Sequence, residues 1–86
     1  MRLDKYLSAA RIFSSRTLAA EAISASLVFI DGLAAKSSRE VKPGSVIEID
    51  TLTFYKKLEV TAIPPKNFPK KQAHTIYRLL QERLKT

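Results

Sequence analysis

Basic side chains stand at positions 2, 5, 11 and 16 of this 86-residue sequence, and two serines sit at 14 and 15. Arginine, lysine and serine hydroxyls around the start of a helix are the groups that hold a phosphate. The spacing predicts that Ser15 caps a helix with Arg16 in its first turn, Ser14 being the alternative cap. The free amides of a helix start attract anions. A cation placed there is disfavoured by roughly 0.3–1 kcal/mol unless something negative lies close. No acid stands between Asp4 and Glu21. Arg16 is therefore expected to be uncompensated and to await an external anion, with Arg2 and Lys5 adding charge from a preceding helix and Arg11 from the connection. On spacing alone, the phosphate could belong to RNA, DNA or a nucleotide.

Other chemistry is poorly supplied. The chain has no cysteine and one histidine, His74, so neither thiolate zinc ligation nor a Ser–His couple is expected. No P-loop or GxGxxG stretch occurs, and both glycines, Gly32 and Gly44, fall in turns. Glu48 and Asp50 share a strand face without a neighbouring nucleophile. The reading is a protein with no active site, no cofactor and no metal. His74 is expected at the surface, and Tyr6 and Tyr77 on apolar helix faces with their hydroxyls exposed. Phe54 and Tyr55 read as sheet packing in preference to base stacking. Lys56 and Lys57 read as a solvated edge, and Lys70 and Lys71 as the first turn of a last helix.

The elements that must position the basic groups follow from periodicity. Leu3, Tyr6, Leu7 and Ala10 form one apolar stripe at helical spacing, and Leu18, Ala19, Ala22 and Ile23 form a second. Phe13 precedes the cap, where a hydrophobic staple fixes the approach of the chain. Asp31-Gly32 between two apolar runs signals a hairpin. Lys42-Pro43-Gly44 signals a type II turn. Ile47 and Ile49 alternate as in a half-buried strand, and a further strand is expected from Tyr55 to Ala62. The stretch PPKNFP (64–69) reads as a linker. Beyond it, Ala73, Ile76, Tyr77, Leu80 and Leu84 predict a C-terminal amphipathic helix. The fold class is α+β: two packed helices, a small sheet, and a helical tail.

Charge is spread unevenly over a total of +7. Residues 1–42 carry +3, residues 43–65 carry −1 and residues 66–86 carry +5. Two basic ends around a near-neutral middle point to a polyanion. RNA and DNA come first. An acidic membrane surface, touched through the basic C-terminal helix, is a weaker alternative. The longest unbroken apolar run is Leu27 to Ile30, too short for a signal peptide or a span, and the cytoplasm is the expected compartment.

Four stretches taken together, RLDKYL, RIFSSRTLAAEAI, VFIDG and VKPGSVIEI, resemble the S4 RNA-binding domain over residues 1–50. The resemblance implies two helices packed on a small bent antiparallel sheet that grips structured RNA. It implies RNA-facing roles for Arg2, Lys5, Arg11, Ser15, Arg16 and Thr17, for Lys36, Ser37 and Ser38 after the hairpin, and for Lys42 before the turn. Residues 1–63 would be the S4-type domain, and residues 64–86 a proline-rich linker with a basic helix. The start MRLDK and the tail AHTIYRLLQERLK resemble the RqcP and ribosome-associated heat shock types within this family. That likeness implies a stalled large ribosomal subunit as partner, with large-subunit rRNA, peptidyl-tRNA and RqcH, no membrane, and a role in alanine tailing of stalled chains. A heat-shock-type recycling role, or an RNA-targeting subunit serving a modification enzyme in trans, are the alternatives. The family usually has glycine before the first strand, where this chain has Ser26. If the backbone there keeps positive φ, serine is strained by roughly 1–2 kcal/mol.

Overall fold

The computed structural model describes residues 1–85. Helix α1 (Leu3–Ala9) and helix α2 (Arg16–Ser24) are followed by strands β1 (Val28–Ile30), β2 (Leu33–Ala34), β3 (Val46–Asp50) and β4 (Phe54–Val60). A 3-10 helix (Lys70–Ile76) then leads into β5 (Tyr77–Leu84). The strands form one antiparallel sheet in the order β2-β1-β3-β4-β5. The α+β, S4-like architecture expected from the sequence is present.

Both helices bury one stripe against one sheet face. Leu3, Tyr6, Leu7, Ala19, Ala22 and Ile23 share a core with Val28, Ile30, Ile47, Ile49, Leu58 and Val60. Small residues on α2 let it lie close to α1. Leu18 departs from expectation: it is exposed, because Ala19, Ala22 and Ile23 fill the contact and leave it outside.

The turns follow their residue types. Asp31 (φ 51°) and Gly32 (φ 85°) make the two-residue turn between β1 and β2. Asp31 also accepts from the Val46 amide at 3.0 Å, which ties the hairpin to β3. Gly44 (φ 93°) follows Pro43, and the Ser45 amide returns to the Lys42 carbonyl at 3.0 Å. Each helix ends with a residue in the left-handed region, Arg11 (φ 58°) and Ser26 (φ 62°). At each end two nested bonds close the last turn: Arg11 N–H to Ser8 with Ile12 N–H to Leu7, and Ser26 N–H to Ile23 with Leu27 N–H to Ala22. The positive φ that favours glycine is thus kept at Ser26.

The expected C-terminal helix is confined to the 3-10 segment Lys70–Ile76, and its continuation through Leu84 is corrected. Residues 77–84 are a strand, paired with β4 from Val60↔Tyr77 to Phe54↔Leu84. Leu58 faces Leu79 and Lys57 faces Gln81, so Leu80 is an extra residue bulged out of β5. The helical spacing of the apolar residues lost to the open edge of β4, whose seven residues offered a full ladder of backbone partners. Tyr6 is the second correction: its hydroxyl is buried and donates to the Ile76 carbonyl at 2.8 Å. Burial pushes the Tyr6 hydroxyl pKa well above its ordinary value. The bond joins the first helix to the start of β5.

Candidate nucleic-acid interface

Asp4 organises the front of the molecule. It lies in the first turn of α1 and is 4% exposed, a buried carboxylate among the described residues. One oxygen, Oδ1, accepts from the Lys5 amide at 2.8 Å and from Arg2 Nε at 3.3 Å. The other, Oδ2, lies 3.2 Å from Arg16 Nε and accepts from Arg2 Nη2 at 3.3 Å. Two half-exposed guanidinium groups from different elements therefore share one buried anion. Burial alone raises the Asp4 pKa. The Arg16 hydrogen bond, the Lys5 amide and Arg2 outweigh that and hold it below its ordinary 3.8.

The expectation that Arg16 is uncompensated is thereby corrected: Asp4 supplies the missing negative charge from across the helix pair. One carboxylate against two guanidinium groups still leaves the cluster positive. Each arginine is half exposed and keeps donors turned to solvent. Asp4 bounds the acid-free stretch 5–20 and reaches Arg16 only through the packing of the two helices. Its position beside the apolar stripe, in a helix's first turn and between two cations, was the available signal.

Ser15 caps α2 as expected, its hydroxyl accepting from the Leu18 amide at 3.1 Å. Thr17 is exposed in the first turn. The stretch 36–42 runs back along the start of α1: Leu3 N–H donates to Arg39 O, Asp4 N–H to Ser37 O and Val41 N–H to Met1 O. That packing sets the Ser37 and Arg39 carbonyls against Leu3 and Asp4, while Lys36 and Ser37 line a depression with Ser24 and Ser26 at the far end of α2, and Ser38 and Lys42 are exposed. Arg39, whose carbonyl accepts from Leu3, is a further exposed cation on this stretch. Arg11 stays apart: it remains on the connection, donating to the Ser14 carbonyl at 3.0 Å. Lys5 is exposed on α1 and faces residues 64–68.

The opposite end of the sheet spends its charges internally. Arg78 pairs with Glu59 and Lys85 with Asp50, while Lys56 lies 3.4 Å from Glu82. Tyr55 donates to Glu48 at 2.6 Å, and Arg83 lies 5.0 Å from its ring centroid. The hydrogen bond to Glu48 pushes the Tyr55 pKa up. Tyr55 has one face covered by Arg83, and Phe54 packs on Phe13 at 6.5 Å, so both serve the fold as the sequence suggested. The large basic excess of the tail is in part cross-strand pairing.

Two helices on a five-stranded antiparallel sheet, with basic groups gathered at the helix pair, define an S4-type RNA-binding module. The S4 domain family model matches residues 1–47, and the chain belongs to that family. It is 38% identical over 84 residues to the RQC P-site tRNA stabilizing factor of Bacillus subtilis (95% of this chain, 94% of the relative). To the protein of the same name from Helicobacter pylori J99 it is 36% identical over 75 residues (86% and 89%). Among solved structures it superimposes on Vibrio cholerae heat shock protein 15, described as trimeric, with a TM-score of 0.84 at 30% identity, covering 93% of this chain and 81% of that one. A solution structure titled hypothetical protein HP1423 gives a TM-score of 0.78 at 31% identity, covering 96% and 100%.

Proposed function

We propose that this protein is a non-enzymatic factor that grips rRNA and tRNA on large ribosomal subunits still obstructed by peptidyl-tRNA. There it steadies the tRNA while an RqcH-type partner extends the stalled chain with alanine. The observation that carries this reading is the Arg2–Asp4–Arg16 cluster: two preorganised guanidinium groups, net positive, flanked by the stretch 36–42 and by the capped start of α2. Guanidinium forks and helix-start amides suit phosphate oxygens, and shape fit suits folded RNA. Arg2, Lys5, Arg11, Ser15, Arg16, Thr17, Lys36, Ser37, Ser38 and Lys42 make the proposed contact surface, now with Arg39 beside them. Relatives named for stabilizing P-site tRNA, alike over nearly the whole chain, support the ribosomal setting.

Affinity capture of the tagged protein from growing cells, with sequencing of bound RNA and identification of attached nascent chains, tests it. Enrichment of large-subunit rRNA, tRNA and alanine-extended chains is expected. Recovery of an RNA-modification enzyme without nascent chains would overturn the quality-control role and assign the protein to targeting in trans.

A further inference from the structure

Away from the arginine pair, a groove of about 500 Å³ opens between α1 and the proline-rich stretch that precedes the 3-10 helix. Met1, Ala9, Pro64 and Phe68 supply apolar walls, and Lys5 and Lys66 are exposed at its rim. None of its lining residues is acidic. Glu40, the carboxylate next to Met1, is engaged by the Met1 α-amine. Asn67, in the left-handed region at φ 63°, adds an exposed amide. The size falls within the roughly 300–1,000 Å³ of small-molecule sites.

We propose that this groove holds one unpaired, unstacked nucleotide of the bound RNA: its base against Phe68, its phosphate between Lys5 and Lys66. The inference rests on the RNA-binding reading above and adds a base-holding site to a surface otherwise made for backbone. Three observations favour a nucleotide over an apolar peptide. Cations flank an apolar floor with no acid in the lining, which matches a flat ring carrying a negative charge. An aromatic side chain lines the wall, and every base offers a face for stacking. Lys5, three residues on from Arg2 and so its neighbour along the helix surface, links the groove's rim to the arginine pair. A strand of RNA leaving the Arg2 and Arg16 cluster therefore meets Lys5 next. The Asn67 amide can donate to and accept from a base edge.

Nuclear magnetic resonance titration with AMP, and in parallel with ribose 5-phosphate, tests the site. AMP is expected to shift the Ala9, Asn67 and Phe68 resonances saturably, and ribose 5-phosphate, lacking the base, to leave them in place. Lys66→Glu, at an exposed position, should weaken AMP by about fivefold. Phe68→Leu should weaken it by about tenfold. Arg16→Ala should leave the AMP shifts at Phe68 unchanged. Equal shifts from both ligands, no shifts in the groove, or indifference to both groove variants would overturn the proposal. So would tighter occupation of the groove by an uncharged apolar peptide. If AMP fails while rRNA binding still depends on Arg16, the groove falls and the backbone-gripping surface stands. If AMP fills the groove while Arg16→Ala binds rRNA normally, the reverse holds.

Discussion

At the scale of single residues, Asp4 sets where two arginines point. A carboxylate removed from water is tolerated when charge-assisted bonds satisfy it, and here the Lys5 amide, Arg2 and Arg16 do so. Asp4→Asn keeps the shape and removes the charge, leaving two guanidinium groups to repel each other. The expected loss is about 1–3 kcal/mol of stability, read from urea unfolding at neutral pH. Because the folded-state pKa lies below the ordinary 3.8, the carboxylate stabilises fully above that value and ceases to as pH falls through the lowered one. The gap between wild type and Asp4→Asn should therefore close in acid; a gap that stays constant would remove Asp4 from this role. The left-handed residues give a second test. Ser26→Gly should raise stability by about 1 kcal/mol by relieving the Cβ clash. Arg11→Gly should relieve its backbone similarly while weakening RNA binding, since it also deletes a cation. The family's usual glycine made the strain at Ser26 readable in advance. Asp4 carries a local signal, an acid in a helix's first turn beside the apolar stripe, but its pairing with Arg16 depends on how the two helices pack, which neighbours in sequence do not fix.

At the scale of elements, the helices, the Asp31-Gly32 hairpin, the Pro43-Gly44 turn and strands β3 and β4 were all legible, since each is dictated by neighbours in sequence. β5 was not. Its apolar residues repeat at helical spacing, and Gln81, Glu82 and Arg83 are no strand formers. What decides is β4, which sits in mid-sheet only if another strand takes its outer side. The Tyr6 hydroxyl and the Thr61 amide both reach the Ile76 carbonyl and set where β5 begins. Tyr6→Phe should cost about 1 kcal/mol in thermal or urea unfolding, with the sheet retained. No change in stability would mean that the bond contributes nothing to holding β5 on the sheet. The membrane alternative required a basic amphipathic helix, and residues 77–84 provide a strand instead.

At the scale of the whole molecule, cations paired across the sheet contrast with those in excess on the helix pair and on residues 66–71. The sheet beyond β3 pairs its cations across strands, as in Arg78–Glu59 and Lys85–Asp50. The helix pair and the stretch 36–42 hold an excess around one buried acid. If about five phosphates are neutralised there, the logarithmic salt slope should be about −4 to −5 on the duplex DNA scale. Affinity for rRNA should then drop on the order of 10²–10³-fold between 50 and 200 mM salt. A flat response over that interval would contradict an electrostatic grip. The most direct measurement compares two single substitutions in co-sedimentation with large subunits carrying peptidyl-tRNA. Arg16→Ala should abolish most association, whereas Lys57→Ala, on the charge-balanced sheet, should leave it near wild type. Equal losses from the two would place the RNA-binding surface elsewhere.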